Sequence, residues 1–239
     1  METAGYIALS NQMVLRQKMD VIAQNLANVN TSGFQGESMM FVEHLQSTED
    51  GKTLSFVQNL AMVRNLNPGP LTPTDNPLDV AIRGEGYFQV ETPTGERFTR
   101  NGAFTLDAQG RLVTADNHPV LSTAGGQIVI PIDDRSISIA RDGTVSTETG
   151  ELGRIGVFTF ENEQKLTKTS AGLFDAGDQE AEAKREPIVE QGMIEGSNVQ
   201  GVAEMTNMIR TVRSYQAAGK VVEDEHRRQR QMIEVLSGA

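Results

Sequence analysis

The chain contains no cysteine in its 239 residues. That excludes disulfides, thiolate metal sites and a cysteine nucleophile together. Tryptophan is also absent and aromatic residues make up 5%, so stacking platforms for bases or sugars are scarce. Basic charge is short as well: 21 Lys and Arg stand against 32 Asp and Glu, a net charge of −11 at pH 7. No nucleic-acid partner is expected, because phosphate contacts need a basic surface. The run His226-Arg227-Arg228-Gln229-Arg230 does not change this, since Glu223, Asp224 and Glu225 stand at helical pairing distance from it. No run of about 18 apolar residues occurs, so neither a spanning helix nor direct membrane insertion is expected. Glu2, Arg16, Lys18 and Asp20 interrupt the N-terminal stretch where a compact apolar segment would stand, so a cleaved signal peptide is not expected.

Catalytic patterns are missing too. His44, His118 and His226 stand apart, without metal-ligand spacing. No G-x-S-x-G elbow occurs. Gly84-Glu85-Gly86 lacks a third glycine and precedes the strand-type residues Phe88 and Val90, which makes it a tight turn and not a dinucleotide loop. Asp133-Asp134, after Pro131-Ile132, reads as a turn. The expectation is therefore no enzyme, no metal and no cofactor, with a periplasmic β-domain enzyme as the remote rival class.

What is present is a change of grammar along the chain. Leu15, Met19, Ile22, Leu26 and Val29 follow 4-3-4-3 spacing, and Ala8 extends the seam backwards. This predicts a helix over 3–29 with a coiled-coil rhythm, stopped by Gly33. Residues 34–75 favour neither period and read as an extended connector with short strands or turns, broken at Asn67-Pro68-Gly69-Pro70. From Asn76 to Gly196 short alternating runs such as LDVAI, YFQVE and GRIGVFTF lie between Gly-containing turns. They predict an antiparallel β domain of sandwich or barrel type. Residues 197–239 return to helix, with Met205, Ile209, Val212, Gly219, Val222, Ile233 and Leu236 on or near one seam and Met208 and Tyr215 beside it. Ser197 or Asn198 is a candidate N-cap.

The predicted fold is mixed α and β. A discontinuous helical domain, 1–33 with 197–239, forms an antiparallel coiled-coil-like pair; a connector spans 34–75 and a central antiparallel β domain spans 76–196. An isolated helix of about 25 residues is marginal in water. A two-helix pair leaves Tyr6, Leu9, Met13 and Val21 of one helix, and Val202 and Val221 of the other, off the seam. Either the chain's own β domain covers them or neighbouring subunits do.

Three stretches carry a family resemblance. Asn25-Leu26-Ala27-Asn28 with Thr31, Gly33 and Phe34 is the first. Asn76-Pro77-Leu78-Asp79-Val80-Ala81-Ile82, with Gly84, Gly86, Phe88 and Val90 and then Phe98-Thr99-Arg100-Asn101-Gly102 and Phe104, is the second. Gln191-Gly192-Met193-Ile194-Glu195-Gly196-Ser197-Asn198-Val199, then Glu204-Met205-Thr206-Asn207-Met208-Ile209, Arg213 and Tyr215, is the third. In this order they resemble the axial proteins of the bacterial flagellum, the rod and hook family. Gln35 stands where the family usually has Lys, and Tyr87 where it has Phe. The length, the short connector, the lack of a large outer domain and Gln216 after Tyr215 resemble the proximal-rod type more than the distal-rod or hook type.

The resemblance implies a structural subunit of the basal-body rod in the periplasm. It implies passage through the flagellar type III export apparatus without a cleaved signal peptide. It also implies assembly with other copies and with neighbouring rod proteins into a tube that carries motor torque to the hook. The expected assembly interface comprises Leu15, Met19, Ile22, Asn25, Leu26, Asn28 and Val29; Thr31, Gly33 and Phe34 where the chain turns outward; Glu195, Ser197, Asn198 and Val199 where it returns; and Met205, Ile209, Val212, Tyr215 and Val222.

Overall fold

A computed structural model describes residues 2–47, 53–131, 134, 136–169 and 172–237. The chain divides into two units. The first unit contains helix α1 (Glu2–Ala27), strands β1 (Glu37–Ser47) and β2 (Thr53–Arg64), and helix α2 (Gly201–Ser237). The second contains Asn28–Gly36 and Leu66–Val199.

In the first unit α1 packs against α2 and against both strands of the hairpin. On α1, Ala8 and Ile22 are buried, and Leu15, Met19 and Leu26 are half-buried, which is the seam the spacing predicts. Val21, placed off that seam by its spacing, is buried as well. It shares a helix face with Asn25 four residues on, and Asn25 bonds to Glu37 at the start of β1, so this face meets the hairpin. Leu9 and Met13 remain exposed. Among the described residues no helix is long and apolar enough to cross a membrane.

On α2 the expected seam is met in part: Val212, Gly219 and Val222 are half-buried, as are Met208 and Tyr215 beside it. The covered line is Glu204, Met208, Thr211, Tyr215, Ala218, Val222, Glu225 and Gln229, again in 4-3 spacing. Met205 and Ile209, expected on the seam, are 54% and 55% exposed. Apolar residues form two stripes here, and the buried one includes polar positions that hydrophobicity passes over. Thr211 tolerates burial because its hydroxyl donates to Asn207 O at 2.8 Å, one helical turn back. Ala218 and Gly219 add no bulk on this side: a Cβ on Gly219 would stand 3.0 Å from Gln12 Nε2. The side chains of Tyr6, Ile233 and Leu236 lie outside the described residues.

The segment expected as an extended connector is largely a hairpin. β1 and β2 pair antiparallel from Glu37↔Arg64 to Ser47↔Thr53, with a register shift between Met40 and Phe41. A bulge of this kind moves the alternation onto the other face, which is why neither period persists in the sequence there.

The second unit is antiparallel throughout its paired strands. After β3 (Leu71–Pro73) come β4 (Val80–Ile82), β5 (Tyr87–Thr92), β6 (Gly95–Thr99), β7 (Thr105–Leu106) and β8 (Leu112–Val113). Then follow β9 (Ile137–Ile139), β10 (Thr144–Thr147), β11 (Gly150–Arg154), β12 (Val157–Thr159), β13 (Thr167–Lys168), β14 (Leu173–Asp175), β15 (Glu182–Ala183), β16 (Val189–Gln191) and β17 (Met193–Glu195). Among the described residues they form a six-stranded sheet in the order β13-β14-β6-β5-β12-β15, a three-stranded sheet β11-β10-β9, and the pairs β16-β4, β17-β3 and β7-β8. The expectation of one sandwich or barrel thus meets one six-stranded sheet and several smaller ones. An aliphatic core holds Val80, Ile82, Val90, Val120, Ile130 and Ile155 with Phe88 and Phe104. An aromatic core holds Tyr87, Phe98, Phe158, Phe160 and Phe174. Asp133 of the expected turn lies outside the described residues.

Candidate assembly interface

The end of α1 is fixed by Asn25. Its Nδ2–H donates to Glu37 O at 2.8 Å, and Glu37 N–H donates to its Oδ1 at 3.0 Å. Asn25 is buried, so a side chain that satisfies both groups is strongly selected over an apolar one. α1 ends at Ala27, and residues 28–33 form turns. Thr31 N–H donates to Asn28 O at 3.1 Å, and the Thr31 hydroxyl to Asn28 Oδ1 at 3.1 Å. Asn28 and Val29 are half-buried there and Thr31 is exposed.

Gly33 follows with φ +68°. A Cβ at this position would stand 2.5 Å from Arg100 C and Asn101 N, so only glycine fits both the conformation and the space. Its N–H donates to Glu195 O at 2.8 Å. Phe34 is buried, with Lys168 Nζ 3.9 Å above its ring centroid, a cation–π contact. Phe34 O accepts from Asn198 N–H at 3.2 Å.

The returning strand answers each of these groups. Asn198 Oδ1 accepts from Gly36 N–H at 2.8 Å, and its Nδ2–H donates to Asn67 O at 2.7 Å. Ser197 is buried and its Oγ accepts from Val199 N–H at 3.2 Å; Val199 is half-buried. α2 starts only at Gly201, so neither Ser197 nor Asn198 is its N-cap. The crossing claims their side chains first.

Glu195 is the centre. Its carboxylate is 2% exposed and meets Arg100, 3% exposed, with Arg100 Nη2 and Nε at 2.6 and 2.9 Å from Oε2. Oε1 accepts from Gly69 N–H at 2.9 Å. Arg100 Nη1 also donates to Gly84 O at 2.8 Å and Gly86 O at 2.6 Å. Glu195 was among the expected residues, but Arg100, Gly69, Asn67, Glu37 and Lys168 were not. The signal for Arg100 was a lone cation inside a motif otherwise built of Gly, Phe, Thr and Asn.

Of the expected residues on α2, Val212, Tyr215 and Val222 are half-buried and Met205 and Ile209 exposed. With Val202, 82% exposed, the last two make an uncovered apolar stripe at i, i+3, i+7. Nothing in this arrangement pairs a nucleophile with a base. What it offers is a hydrogen-bonded meeting of residues 31–36 with 195–199, and on α2 an exposed apolar stripe.

Known proteins are similar to this chain along most of its length. The family pattern for flagella basal body rod proteins matches residues 6–35. That of the flagellar hook protein FlgE/F/G D1 domain matches 81–147, and that of the flagellar basal body rod FlgEFG C-terminal region matches 190–235. The flagellar basal-body rod protein FlgF of Caulobacter vibrioides is 35% identical over 99% of this chain and 98% of its own length. FlgF of Mesorhizobium japonicum is 32% identical over 90% of each chain. The rod protein FlgG of Bacillus subtilis is 33% identical over 91% of this chain and 92% of its own length.

Proposed function

Because this chain belongs to the flagellar basal-body rod protein family and is a structural subunit of the rod, we propose that its place is the proximal rod and that it assembles there through its terminal helices. The observation that carries the proximal position is the end-to-end match to FlgF of Caulobacter vibrioides. The FlgG match leaves more of each chain uncovered and supports the second reading, a distal-rod subunit.

The helices work as an antiparallel, coiled-coil-like pair. The 4-3 spacing of the covered lines on α1 and α2 supports this. The exposed stripe Val202, Met205 and Ile209, with Leu9 and Met13 on α1, meets other copies and neighbouring rod proteins. The crossing built by Thr31, Gly33, Phe34, Glu195, Ser197, Asn198 and Val199 fixes where the chain leaves and rejoins the helical layer. The subunit reaches the periplasm through the flagellar type III export apparatus without a cleaved signal, transmits motor torque and catalyses nothing. Complementation tests this reading. A bacterium deleted for its own proximal-rod protein and given this chain is expected to regain rods in isolated basal bodies. Rescue of a distal-rod deletion instead would overturn the proximal placement.

A further inference from the structure

The segment from Val189 to Val199 is the last part of the second unit to leave the chain's β region. Its strands close β4 and β3. Its Glu195 reaches two loops at once, Gly33 through the backbone and Gly69 through Oε1, while Oε2 meets Arg100.

The bonds differ in reach. Those from Arg100 to Gly84 O and Gly86 O span 16 and 14 residues. Those of Glu195 span 95 residues to Arg100 and 126 to Gly69. Short loops close at smaller entropic cost, and local contacts precede distant ones. Arg100 can therefore be set in place by its own turn before Glu195 arrives. Until then both charges are hydrated. Once the segment docks, both are nearly fully buried. A half-made state, with one charge buried and the other absent, is the costly one, so docking is all-or-none.

We propose that the Arg100–Glu195 pair is a latch that closes once, when residues 189–199 dock, and that its closing orders the Gly33 and Gly69 loops in the same event. The path of the chain out of α1 then takes its final shape only in a chain whose C-terminal segment has arrived.

Hydrogen exchange of the full chain, read residue by residue by NMR, tests it. In Glu195→Gln the amides of Gly33, Gly69 and residues 190–196 are expected to exchange at least tenfold faster together, while Val90, Leu112 and Val120 keep their protection. In Asn198→Ala, which leaves the ion pair in place, Gly36 is expected to speed up while Gly33 and Gly69 hold. Three results would overturn the latch: loosening of 190–196 alone in Glu195→Gln, loosening or failure to fold of the whole β region in that variant, or equal loosening of Gly33 and Gly69 in Asn198→Ala.

Discussion

Asn25 and Glu37 hold each other as two paired strand residues would, although one of them is the side chain of a helical residue. The amide of Asn25 supplies both a donor and an acceptor to the Glu37 backbone, at 2.8 and 3.0 Å. Asn25→Ala removes both partners, and Asn25→Asp keeps the acceptor but sets a second oxygen against Glu37 O. Each is expected to destabilise the chain by about 1–3 kcal/mol, the cost of leaving such groups unmade. Chemical denaturation with an unchanged m value, together with faster exchange of the Glu37 amide, is the check. A loss below the noise of the midpoint would mean that water replaces the amide at no cost.

Tyr87 offers a second test. Its hydroxyl lies 2.9 Å from Glu163 Oε2 and 3.3 Å from Gln35 Oε1. The ring is fully buried and meets Phe160 and Phe174 edge to face, with centroids 5.9 and 5.5 Å away. Tyr87→Phe leaves that packing in place and removes only the hydroxyl. The expected loss is about 1–2 kcal/mol, because Glu163 Oε2 and Gln35 Oε1 then lose the single hydroxyl proton they share. Thermal unfolding of the variant beside Gln35→Leu and the double variant measures the coupling. Additive losses would show that the two side chains do not act as a pair.

The same pair marks the limit of what could be read from sequence. Gln35 and Tyr87 each departed from the family pattern, and nothing in the order of residues said that these two departures touch across 52 positions. The α1 seam was legible because Ala8, Leu15, Met19, Ile22 and Leu26 are apolar at the period that burial also selects. The α2 seam was legible only in part: the covered line takes in the buried Thr211 and the half-buried Glu204 and Gln229, and only the fold decides which of two apolar stripes turns inward. The hairpin was hidden by its bulge between Met40 and Phe41. Glu195 was legible through its motif, but its partner Arg100 lies 95 residues away, beyond any local pattern.

Acid is expected to act at the turn before β10. The Asp142 carboxylate accepts from the Thr144 N–H at 3.1 Å and from the Thr144 hydroxyl at 2.9 Å. The amide bond first, and the hydroxyl bond second, hold its pKa below the ordinary aspartate value. A carboxyl whose folded pKa is depressed adds stability above its unfolded pKa, and that stability is lost as pH falls through the folded one. An NMR titration should therefore place the Asp142 midpoint below that of a free aspartate. Thr144→Val, which keeps the amide and removes the hydroxyl, should move it part of the way back. A midpoint unmoved by that substitution would assign the shift to the backbone alone.

Ile209 separates assembly from folding. It stands 55% exposed in line with Val202 and Met205, whereas Ile22 of α1 is 5% exposed. Ile22→Ala should cost the isolated chain about 2–4 kcal/mol, because it opens a cavity in the helix seam. Ile209→Asp should cost it no more than about 0.5 kcal/mol, as at an ordinary exposed site. If the stripe meets a neighbour in the rod, as proposed, the order is expected to reverse, because the neighbour's apolar surface would bury an unpaired carboxylate, and burial of such a charge is strongly unfavourable. The expected outcome is a variant with a wild-type melting temperature that restores neither rods nor swimming in a deletion strain. Normal swimming with Ile209→Asp would take this stripe out of the interface, and a lowered melting temperature would instead make it part of the chain's own core.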